Sequence, residues 1–170
     1  SQIQDYYEAE GWSDGLPVVP ATEDLVLEMI QGADLPPEFE LGVIQPSNKT
    51  VTVEKVAINS VMAGCKPEYF PVVIAAVKCV LRPEFNVGGV QATTGGAACT
   101  VVVNGPICNE IGIHSDAACF GPGFRANATI GRAVRLVIRN LGELLPGIMD
   151  KATLSTPGRF SFCFGENESR

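Results

Sequence analysis

GPGFRANATIGRAVRLVIRNLG, residues 121–142, runs from a glycine-rich approach into a strong helical pattern. Its apolar periodicity predicts a helix over about 127–140, with Gly142 as the stop. Arg132, Arg135 and Arg139 fall at i, i+3 and i+7 and so form one stripe, while Arg125 and Asn127 stand at the helix start. Gly131, inside the helix, marks close packing against another backbone.

Working outward, Thr22 caps a predicted helix with Glu23 and Asp24 in its first turn, Leu25, Val26, Met29 and Ile30 on one face, and Gly32 as the stop. Thr52 caps a second over 53–63, ended by Gly64, and Pro67 opens a third running to about Leu81. Strands are expected over 41–44, 86–92, 99–103 and 158–164, the middle two able to form a hairpin. GWSDGLPVVPA, 11–21, with two glycines and two prolines, reads as extended and non-helical. Helices and strands mix without a regular βαβ period. The expected fold is therefore α+β, a mixed sheet packed with three or four helices in a single layer-type domain over 1–170, with a layered α/β sheet as the alternative.

Composition narrows the function classes. The chain has 170 residues, 46% of them apolar, enough for one core, and its 18 glycines and 12 prolines imply many ordered turns. Lys78 and Arg82 bound or interrupt the apolar run at 70–81, which falls short of the roughly 18 residues of a membrane span. Ser1, Gln2, Ile3, Gln4 and Asp5 form neither a basic nor an apolar leader region, so a cytoplasmic location and reduced thiols are expected. Residues 1–48 hold ten acids and no Lys or Arg, leaving nine acids against twelve bases in the rest. That acidity repels phosphate backbones, and Tyr6, Tyr7 and Trp12 do not alternate with bases, so nucleic acid is not an expected partner. The acidic segment reads either as a solvated face or as one packed on a basic surface of this chain or a partner.

Six cysteines without a C-x-x-C pair, and one histidine, exclude a zinc finger, a thioredoxin motif and a His-rich metal site; no metal is expected, and no motif names a cofactor. Cys65 lies beside Lys66 and just before the helix that Pro67 opens, where a dipole and a cation favour thiolate. Its other reading is a small buried hydrophobe at a helix junction. Glu68, in the same first turn, is a proton acceptor or a complement to the dipole. Arg125 and the helix start at Asn127 suit a carboxylate or phosphate, although 121–131 is neither a GxGxxG nor a GxxxxGK[ST] loop; the alternative is an interface face pairing with the acidic segment. Thr93 and Thr94, before Gly95 and Gly96, form an anion nest or a plain turn. Asp14 is a site carboxylate or a turn former, and His114 an Asp-oriented base or a capping residue.

The blocks DGLPVV (14–19), VMAGCKPEYFPVV (61–73), GVQATTGGAA (89–98), VNGPI (103–107) and GPGFRANATIGRA (121–133) together resemble a bacterial family associated with the UGSC-motif (seleno)proteins, over roughly 12–168. The resemblance implies thiol or selenol redox chemistry. Its recurring motifs fall here on Asp14, Cys65, Glu68, Thr93, Thr94, Asn104, Arg125, Asn127 and Arg132, without assigning their roles. His114 stands where the motif carries a different polar residue. Family members continue past Arg170, so this chain is expected to match their N-terminal part, the second half being another subunit or the chain a natural fragment.

The leading expectation is a subunit of a homo- or hetero-oligomeric enzyme acting on a small anionic substrate. Cys65 is its nucleophile or redox thiol, Glu68 manages a proton, Asp14 assists, and Thr93, Thr94, Asn104, Arg125, Asn127 and Arg132 hold the substrate. The alternatives are a noncatalytic or site-sharing subunit, and a hydrolase or lyase using the 93–96 loop with Asp14.

Overall fold

In the computed structural model, which describes residues 2–168, the 121–142 stretch forms the central helix; Ser1, Ser169 and Arg170 lie outside the described residues. This helix, α7 (Arg125–Gly142), buries Ile130, Leu136 and Ile138 completely. Full burial of side chains this size contributes roughly 1.5–3 kcal/mol each. It packs most extensively on α3 (Val53–Ala63), and also on α4 (Phe70–Val80) and β4 (Cys163–Gly165). Gly131 has the expected packing reason: a Cβ there would stand 2.5 Å from Ser161 Oγ and 2.7 Å from Phe162 N. The helix runs through Gly142 and stops at Glu143, whose φ is +56°.

The expected N-terminal helices are present. α2 (Glu23–Gln31) buries Val26, Met29 and Ile30, and Gly32 after it lets Pro67 approach, since a Cβ would meet Pro67 O at 2.1 Å. Thr52 Oγ1 accepts from Lys55 N and caps α3, which Gly64 ends in the left-handed region. Pro67 opens a 3-10 turn (Pro67–Tyr69) rather than the helix itself, and α4 begins at Phe70. β1 (Glu40–Ile44) pairs antiparallel with β2 (Lys49–Thr52). α1 (Gln2–Ala9), α6 (Ile107–Ile111) and β2 are additional to the expected elements.

One expected strand is a helix. Residues 86–92 form α5 (Val87–Ala92), capped by Asn86 at φ +51°, whose Oδ1 accepts from Gly89 N. The apolar Val87 and Val90 are spaced three apart, which puts them on one face of a helical turn but on opposite faces of a strand, and the Asn cap agrees with the helix. The expected hairpin is therefore absent; β3 (Val101–Val103) pairs in parallel with β4, Val101 opposite Cys163 and Val103 opposite Gly165. The fold is α+β: seven α-helices among the described residues, with strands divided between one antiparallel and one parallel two-stranded sheet around a common apolar core. Among the described residues no helix is long and apolar enough to cross a membrane.

Candidate functional site

The arginine stripe of α7 meets three different environments. Arg132 is bound bidentately by Asp14, Nε donating to Oδ2 at 2.9 Å and Nη2 to Oδ1 at 2.8 Å, and Nη2 also donates to Leu16 O at 3.1 Å. Both side chains are buried, 12% and 7% exposed, so the acidic N-terminal segment does pack on the basic stripe, through this one carboxylate. Asp14 sits on a tight turn, where Oδ1 also accepts from Leu16 N.

One helical turn later, Arg135 enters a buried network. Its Nη2 donates to Asp150 Oδ2 at 3.1 Å and its Nη1 to Gln91 Oε1. Arg159 donates through Nη1 to the same Asp150 Oδ2 and through Nε to Ala97 O at 2.8 Å. Two buried guanidinium groups therefore share one carboxylate oxygen, while Asp150 Oδ1 accepts from Ala152 N. The two ends of this chain of bonds each keep an unanswered donor: Gln91 Nε2 and Arg159 Nη2 are buried with no hydrogen-bond partner. Buried donors are nearly always paired, so these two set the network apart from the rest of the core.

Arg139 completes the positive side. Its Nη1 donates to Gly11 O and Asn140 Oδ1, and no carboxylate pairs with it among the described residues. Burial lowers the pKa of Arg135, and the neighbouring Arg159 lowers it further against the opposing Asp150. Burial likewise lowers that of Arg139, with Asp14 opposing. Arg135, Arg139, Arg159, Asp14 and Asp150 line a cleft of about 410 Å³ that is also bordered by the segment after α7, whose exposed Leu154 and Phe160 form an apolar rim. Since Asp14 is already answered by Arg132, three arginines face one aspartate here. Such an excess of buried guanidinium favours an anion, and the planar fork suits carboxylate or phosphate.

Cys65 lies elsewhere, at a pocket of about 380 Å³ with Glu28, Lys66, Glu68 and Arg125. The expected low thiol pKa is not found. Cys65 is 7% exposed, burial pushes its thiol up to about 12 against weaker opposing effects of Thr129, Arg125 and Arg132, and Sγ donates to Thr129 O at 3.3 Å. The helix dipole is out of reach because a 3-10 turn separates Cys65 from α4, and Lys66 turns to Glu68 at 3.5 Å, both largely exposed. Arg125 gives Nε and Nη2 to Gly64 O, at 3.1 and 3.0 Å, closing the end of α3.

The other expected site residues are not gathered with these. Asn127 is buried, its Oδ1 accepting from His114 N and its Nδ2 donating to His114 O and Cys119 O, so it ties a loop instead of opening a helix start to a ligand. Asn104 Nδ2 donates to Glu166 Oε2 on the surface. His114 stacks on Phe124 with centroids 3.7 Å apart, its Nε2 at 2.9 Å from Ala117 O. Thr93 and Thr94 are exposed: Thr93 Oγ1 accepts from Gly95 N, and Thr94 O accepts from Thr153 N beside the arginine cleft. Sequence reasoning missed Gln91, Asp150 and Arg159; the spacing of Arg135 and Arg139 pointed to their face of α7 but not to the partners that chain reversal brings there. Among the described residues no three His, Cys, Asp or Glu side chains gather as metal ligands. No protein-family model, no curated protein and no solved structure matches this chain.

Proposed function

We propose that the protein binds a small anion in the arginine cleft, as the substrate-holding part of an enzyme. The observation that carries this reading is the pair of buried arginines, Arg135 and Arg159, on a single oxygen of Asp150, with Arg159 Nη2 left without an acceptor. An anion in the cleft offsets the uncompensated charge. The small anionic ligand is the one expected from sequence, but its holders are Arg135, Arg139 and Arg159, which line the cleft, and not Arg125, Asn127 and Arg132, which do not.

The test is thermal unfolding of the full chain at constant ionic strength, with acetate or phosphate replacing chloride. A bound anion at about 100 times its Kd adds roughly 2.7 kcal/mol, which raises the midpoint of a chain this size by about 5–10 °C. Saturable stabilisation that weakens in Arg139→Gln is expected. A midpoint indifferent to the anion's identity contradicts the reading.

A second reading, thiol chemistry at Cys65 with Glu68 as proton acceptor, is favoured by the pocket that opens on Cys65. It requires a movement that frees the sulfur from Thr129 O and lowers its pKa. Rapid alkylation of Cys65 by iodoacetamide at pH 6 supports it; alkylation only after unfolding removes it.

A further inference from the structure

The arginine cleft has two chemically different walls, and the second of them narrows the ligand. Its floor is guanidinium: Arg135 and Arg159 are held by Asp150, and Arg139 stands beside them. Its mouth is apolar, with Leu154 and Phe160 flanked by Pro146 and Pro157. Leu154 is 92% exposed and Phe160 47% exposed, although each borders a cleft. A bare inorganic ion on the floor leaves that rim in water. A ligand with an anionic head and an apolar body answers both walls at once, since the head offsets the excess of guanidinium on the floor and the body removes Leu154 and Phe160 from water.

Resting on the anion-binding reading above, we propose that the cleft takes an amphiphilic organic anion, a carboxylate carrying an acyl or aryl body, with the carboxylate on the Arg135, Arg139 and Arg159 floor and the body against Leu154 and Phe160. The planar carboxylate matches the guanidinium fork, and charge complementarity fixes the direction in which the molecule enters: head inward, body at the mouth. A neutral or cationic molecule with the same body is disfavoured, because it leaves the guanidinium excess of the floor uncompensated.

The experiment is calorimetric titration of the full chain with acetate, hexanoate and hexylamine, on wild type, Leu154→Ser and Arg139→Gln. Leu154 is nearly all in water, so its serine variant keeps the fold. The expected result is one site, with hexanoate bound at least about tenfold more tightly than acetate, the added methylenes being partly buried. Hexylamine does not bind. The hexanoate to acetate ratio falls by about threefold or more in Leu154→Ser, and both acids weaken in Arg139→Gln. Equal affinities for acetate and hexanoate overturn the amphiphile while leaving the anion site standing; binding of neither acid overturns the anion-site reading and the amphiphile with it. Hexanoate binding untouched by Arg139→Gln puts the molecule elsewhere and also overturns the proposal. So does sedimentation showing a dimer that Leu154→Ser dissolves, which assigns the rim to a second copy of the chain.

Discussion

Helix α7 supplies arginines to two pockets, and it supplies them to different ends. At its first residue, Arg125 is exposed and gives both donors to Gly64 O, beside a buried thiol that stays neutral. In its second half, Arg135 and Arg139 reach a cleft in which positive charge outnumbers negative and a donor of Arg159 is unanswered. The same residue type closes a helix end at one site and builds an excess of positive charge at the other. What differs is the supply of acceptors: a helix C-terminus offers carbonyls, whereas the floor of the cleft offers a single shared carboxylate.

The strongest way to break this comparison is Asp150→Asn. It leaves two buried guanidinium groups without their carboxylate and is expected to cost about 3–5 kcal/mol in denaturant unfolding. Added acetate should recover more of the loss than it adds to wild type; if Asp150→Asn unfolds at the wild-type midpoint, the cleft is not charge-strained. Next comes Gly131→Ala, which tests the packing that holds the two ends of α7 in register. Its Cβ would press on Ser161 Oγ and Phe162 N, at a cost of roughly 1–3 kcal/mol read from the urea midpoint.

The thiol end carries its own pH signature. Burial keeps the Cys65 thiol protonated in the folded chain up to about 12, above its ordinary 9.0, and Cys163 is raised likewise. Unfolding therefore releases protons between those values, so stability present below pH 9 is lost progressively as pH rises from about 9 to 12. In Cys65→Ala the pH dependence over that window is expected to be shallower, checked by urea midpoints at successive pH; an unchanged slope means the sulfur is not buried as described. The smallest effect belongs to Arg125→Gln, within about 1 kcal/mol for exposed hydrogen bonds, and it should leave stabilisation by acetate as in wild type.

This contrast explains what could be read in advance. α7, α2 and α3 were legible because apolar spacing, a cap residue and a glycine agree locally, as at Thr52 and Gly64. Residues 87–92 were not, because a six-residue helix containing Gly88 and Gly89 carries only the one Val87 to Val90 step of helical spacing, and the Asn86 cap is a weak signal beside it. In the site, the arginine stripe was legible as spacing along one helix. Asp150 and Arg159 were not, since Asp150 lies outside any helix or strand, Arg159 ends a three-residue 3-10 turn (Pro157–Arg159), and both reach Arg135 only through the return of the chain. Cys65 beside Lys66 and Pro67 suggested thiolate because neighbours in sequence are visible and burial is not.

The most direct measurement follows the Nε–Hε resonances of individual arginines by NMR while acetate or hexanoate is added. Saturable shifts at Arg139 and Arg159 with one common dissociation constant are expected, and none at Arg125 or Arg132, which do not line the cleft. Shifts led by Arg125, or equal drift at all four, would contradict an anion site in the cleft.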